Sequence, residues 1–143
     1  MHFPIVAALL AASVAQDDPF CADISRLSAA AGEEKPFESL YQAKFVPRLL
    51  NSCQRGVGYF CHRSLLPPEI TYETMATRIA ACLPGAVKAM PAQQWPGIRR
   101  VTVTGGGLFF DIEETGSDRA HVGRILHIEI RSEKQPRPEH WYQ

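Results

Sequence analysis

The chain has 143 residues, with 15 Lys and Arg set against 15 Asp and Glu, and is 45% hydrophobic and 21% charged. Those proportions are ordinary for a globular domain. They leave no field of one sign to draw in nucleic acid or an anionic membrane, so both are disfavoured as partners.

The chain opens on an apolar run. Phe3 to Val14 spans about 12 residues, short of the roughly 20 that cross a bilayer as a helix. It ends in Ser13-Val14-Ala15, a small-x-small pattern of the kind signal peptidase cuts, and polar Gln16-Asp17-Asp18 follows. Ahead of it, only the α-amino group and His2 can carry positive charge. The expected organisation is a secretory signal peptide over 1–15, a single domain over 16–131 and a loose C-terminal tail over 132–143. Removing the first segment leaves about 128 residues, enough for one core. Asp18-Pro19-Phe20 before Cys21 lacks the small residue that lipidation requires next to a cysteine. No later apolar stretch reaches transmembrane length, so no membrane span is expected once the signal is removed. The expected location is periplasmic or secreted.

Asp18 suits a helix cap and Pro19 the first helical position, and Phe20, Ile24, Leu27 and Ala31 then recur at helical spacing until Gly32. Residues 36–66 are less regular. Phe37, Leu40, Tyr41 and Phe45 fit a helical face that Pro47 breaks. Gln54 to Gly58 reads as a turn, and Val57, Tyr59 and Cys61 alternate as in a strand. A second main helix is predicted from about Glu69 to Leu83, with Thr71 as cap and Pro84-Gly85 as its end. Tyr72, Met75, Ala76, Ile79, Cys82 and Leu83 share one face of it.

From Ile98 the period becomes two. Val101 and Val103 alternate with Arg100, Thr102 and Thr104, and Leu108, Phe110 and Ile112 with Phe109, Asp111 and Glu113. A turn at Gly105-Gly106 would set Val103 against Leu108, Val101 against Phe110 and, on the outer face, Arg100 against Asp111. After a loop from Glu114 to His121, a third strand turns Val122, Leu126, Ile128 and Ile130 inward. Its outer side carries Ile125, His127, Glu129 and Arg131. The expected fold class is α+β: a two-layer sandwich of two main helices on a C-terminal three-stranded antiparallel meander, stapled by disulfides. The polar tail ends in Trp141-Tyr142, which either folds back on the domain or stands free as a contact motif.

Four cysteines in a chain bound for an oxidising space imply two disulfides and allow three pairings. Cys61 with Cys82 and Cys21 with Cys53 is the preferred arrangement, because Cys82 shares a stripe with Ile79 and Leu83. Cys53 with Cys61, closing the Gly56-Val57-Gly58 turn, is the rival. A zinc site from Cys53, Cys61, His62 and Cys82 lacks a C-x-x-C pair, and the compartment argues against free thiolates.

The outer sheet face gathers Arg100, Asp111, Glu113, His127 and Glu129, and a histidine beside carboxylates can serve as base or metal ligand. His127, Asp111 and Glu129 are the catalytic candidates. Cross-strand ion pairs on a solvated face are the plainer reading of the same residues. Gly105-Gly106-Gly107 is followed by neither Lys-Ser/Thr nor a helix, so it is no phosphate loop, and no metalloprotease or calcium motif occurs. No cofactor or metal is expected. Two functions from different classes remain. The first is a non-catalytic binding module of the cell envelope, gripping another envelope or secreted protein through Phe109 and Ile125 or through Trp141 and Tyr142. The second is a small hydrolase or metal-dependent enzyme using His127 with Asp111 and Glu129.

Overall fold

The computed structural model describes residues 18–90, 95–116 and 123–135, so the expected signal segment, Trp141 and Tyr142 lie outside the described residues. Helix α1 runs over Pro19–Ala31. The Asp18 carboxylate accepts the Phe20 N–H at 2.9 Å, and Phe20, Ile24, Leu27, Ala30 and Ala31 form the buried stripe. A short helix, α2 (Glu38–Ala43), is entered and left through left-handed residues, Phe37 at φ 66° and Lys44 at φ 52°. Phe37 is fully buried, and that packing holds a bulky residue in a backbone region it rarely adopts. Helix α3 spans Tyr72–Cys82 behind a reciprocal cap between Thr71 and Thr74.

The strands are β1 (Ser52–Arg55) and β2 (Tyr59–Arg63) before α3, then β3 (Val87–Ala89), β4 (Arg99–Gly105), β5 (Leu108–Gly116) and β6 (Arg124–Ser132). They form one antiparallel sheet in the order β1-β2-β6-β5-β4-β3. The described residues therefore hold three helices and six strands, which overturns the expected three-stranded meander under two main helices. The meander exists as β4–β5–β6. The β1–β2 hairpin extends it past β6, and β3 extends it past β4. Of these additions β1 and β3 lack a two-residue period: all three β3 residues are exposed, and β1 has two half-buried then two exposed positions.

The β4–β5 register also differs from expectation. Gly105 pairs with Leu108, so the turn is Gly106-Gly107, at φ 58° and 75°. Positive φ at both central residues is what a type I′ turn requires. Gly105 lies in the strand, where an added Cβ would stand 3.1 Å from the Ala86 Cβ. Val103 consequently faces Phe110, Val101 faces Ile112, and Arg100 faces Glu113. The shift is two residues, so no side chain changes face but every one changes partner.

The preferred cysteine pairing is corrected as well. Cys21 bonds Cys82, and Cys53 bonds Cys61. Helix α1 begins where α3 ends, so Cys82 meets the first turn of α1, where the Arg78 guanidinium also lies over the Phe20 ring at 4.9 Å. Cys53 and Cys61 are direct partners across the hairpin, with Cα atoms 4.0 Å apart.

Tyr59, Cys61, Val101, Val103, Leu108, Phe110, Ile112, Leu126, Ile128 and Ile130 line the inner sheet face and join the buried stripes of the helices in one cluster. The apolar gap between the helices and Phe110, Ile128 and Ile130 measures only about 10 Å³, so this interior is filled. The opposite sheet face carries the residues of chemical interest.

Candidate functional site

Antiparallel pairing arranges the outer face in cross-strand rows. One row reads Ser52, His62, His127, Glu113, Arg100 from β1 to β4. The next reads Gln54, Phe60, Glu129, Asp111, Thr102. Beyond it, Arg131 faces Phe109 and Phe109 faces Thr104. At the other end Ile125 faces Thr115. Each row crosses five strands, and the glycine turn sets its β4–β5 pairing.

The expected catalytic set is brought onto neighbouring positions but not into one cluster. Asp111 and Glu129 are direct partners, whereas His127 is opposed by Glu113 and lies diagonal to Asp111. Glu129 is engaged by Arg131, whose Nε donates to Oε1 at 2.8 Å. Glu113 Oε2 receives Nε and NH2 of Arg100 at 2.9 and 2.7 Å. Asp111, deprived of the arginine expected opposite it, is 6% exposed. Burial pushes its carboxyl from the ordinary 3.8 up to about 7; Arg100 and Arg131 pull it back, while Glu113 and Glu129 add to the rise.

The expected contact residues are placed differently. Phe109 is 4% exposed and lies outside the inner core cluster, so its ring is buried rather than offered to a partner. Ile125 is half-buried, and the two polar rows separate it from Phe109. The pair forms no continuous apolar patch.

Sequence reasoning missed the β2 contribution. Phe60 stacks on His127 with ring centroids 5.8 Å apart, and His62 tilts against His127 at 6.3 Å. The alternation of Tyr59 and Cys61 already implied that Phe60 and His62 face outward; the neighbourhood of β2 and β6 carries no sequence signal. Ser52 Oγ lies 3.2 Å from His62 Nδ1 and 3.3 Å from Nε2. Both nitrogens lie within hydrogen-bond distance of the hydroxyl, with donor and acceptor set by the tautomer. His127 Nδ1 is buried, with no hydrogen-bond partner among the described residues.

Among the described residues, one group of three potential metal donors converges, Asp18 with Cys21 and Cys82. Its sulfurs are bonded to each other, which removes both thiolates. The closed disulfides fit an oxidising compartment. No protein-family model, curated protein or solved structure matches the chain.

Proposed function

We propose that the chain is an exported, disulfide-stapled binding module of the cell envelope or secreted fraction, and that it docks another envelope or secreted protein on the β2–β6 side of the outer face. The apolar leader through Ala15 and the two disulfides support export. The observation that carries the docking surface is the half-buried ring group of Phe60, His62 and His127 on one strip of the outer face. The carboxylates of Glu113 and Glu129 along the same rows are held by arginines. A docked chain would pack against the rings of Phe60 and His62.

Cross-linking in the native host tests it. Phe60→Asp is expected to abolish the cross-linked partner while the melting temperature is kept. Loss of both together would make Phe60 structural and remove the docking surface. Mass mapping of the recovered protein should find the mature terminus at Gln16 with both disulfides closed.

A second reading, a small hydrolase or metal-dependent enzyme through His127, Asp111 and Glu129, has one observation in its favour. The Asp111 carboxyl, at about 7, sits where a general acid or base is useful at neutral pH. It predicts a hydrolytic activity that His127→Ala abolishes without altering the melting temperature.

A further inference from the structure

We propose that His62 and His127 form a two-imidazole site for a borderline divalent transition ion of the Cu²⁺, Ni²⁺ and Zn²⁺ class. The two residues are direct cross-strand partners pointing to the same face. Direct partners hold their Cβ atoms about 5 Å apart. Over that span two rings can converge on one ion at about 2.0–2.1 Å from each nitrogen. Their centroids stand 6.3 Å apart, with an interplanar angle of 43°. An ion held by one nitrogen of each ring would set the centroids about 5–6.5 Å apart; the present spacing falls in that range, and ligation turns the His62 ring, whose nitrogens now lie beside Ser52 Oγ, toward His127.

The surroundings fit the same chemistry. Phe60 stacks on His127 and restricts how that ring can turn. The Ser52 hydroxyl lies within hydrogen-bond distance of both His62 nitrogens. Among the described residues nothing hydrogen-bonds His127 Nδ1, which is buried, so the ion is taken by Nε2 or after a turn of the ring. Imidazole donors suit borderline ions rather than calcium or magnesium, and the expected order of affinity is Cu²⁺ above Ni²⁺ and Zn²⁺. Among the described residues no third histidine, cysteine or carboxylate donor converges with these two. Water therefore completes the coordination, and affinity falls well below that of a four-ligand structural site.

The site uses side chains of the docking surface but does not depend on a protein partner. The test is a titration of Zn²⁺ into the full oxidised chain, followed through imidazole ¹⁵N shifts, with His62→Gln, His127→Gln and the double variant alongside. The His62 and His127 rings should shift together and saturate at about one equivalent, and each single substitution should weaken binding at least about tenfold. Unchanged affinity in the double variant, or shifts confined to His2, His121 or His140, would overturn the site. Melting temperatures in metal-free buffer separate ligation from folding. Should a variant unfold, the concerted shifts of the unmodified chain decide. A Phe60→Asp chain that keeps its zinc and its partner refutes docking alone, whereas one that loses the partner from a chain with silent imidazoles refutes the metal alone.

Discussion

Burial acts on the Asp111 carboxyl before any neighbour does, and its consequence is a stability that depends on pH. The group is pushed up to about 7 in the folded chain, against about 3.9 when unfolded. Between those values the folded state keeps a proton that the unfolded chain has released, so stability is greatest on the acid side and falls as pH rises from about 4 toward 7. Above that window the penalty is complete. Asp111→Asn keeps the shape and removes the charge, and should stabilise the fold at pH 8 by on the order of 2 kcal/mol while doing little near pH 4. Urea unfolding at the two pH values reads the difference directly; a uniform effect at both would show that ionisation is not involved. Gly58 makes a steric counterpart. A Cβ there would stand 2.1 Å from the Ile130 carbonyl oxygen, and the Gly58 carbonyl accepts the Tyr41 hydroxyl at 2.5 Å. Gly58→Ala should cost about 2–3 kcal/mol by forcing β2 away from β6. At this scale parity was legible: His127, Glu129, Asp111 and Glu113 all face outward as their alternation implies. Partners were not, because Asp111 and Arg100 meet or miss according to which two glycines turn the hairpin.

The elements with local signals were the ones readable in advance. Asp18-Pro19 and Thr71 announced the starts of α1 and α3, since caps and apolar periodicity act within a few residues. Strands β1 and β3 exist only through pairing with β2 and β4, and neither has an apolar face of its own. Edge strand β3 has a further feature. Val87 is 62% exposed and the nearby Met90 and Trp95 are 54% and 63% exposed, an apolar margin beside a strand edge. Lys88 stands in the middle of β3, on the side of Val103, with its Nζ 3.4 Å from Thr77 Oγ1. A lysine on a short edge strand discourages pairing with a second chain. Lys88→Val should therefore raise self-association at equal concentration, seen as a shift to higher mass in sedimentation velocity. Retention of the unmodified chain's sedimentation profile would assign the protection to strand length alone.

The two disulfides differ in what they constrain across the molecule. Cys21–Cys82 closes a separation of 61 residues and ties α1 to α3, whereas Cys53–Cys61 closes 8 within one hairpin. On the loop-entropy account the first is worth about 4 kcal/mol and the second about 2.5. Together they approach the whole stability of a typical domain, about 5–15 kcal/mol. The inner face is apolar and closely packed, yet the outer face adds buried polar and charged side chains at Asp111 and Arg131, which contribute little net stabilisation. Each link lies within one layer, helix to helix or strand to strand, so its contribution comes from restricting the unfolded chain. Replacing Cys21 and Cys82 by alanine should lower the unfolding free energy by more than replacing Cys53 and Cys61. Adding dithiothreitol to the unmodified protein should do more than either, moving the circular-dichroism melting transition down by tens of degrees or abolishing its cooperativity. A chain with that response cannot persist where thiols are kept reduced. The same experiment thus bears on compartment: a melting curve indifferent to reductant would leave the fold self-sufficient and remove the disulfides as an argument for export.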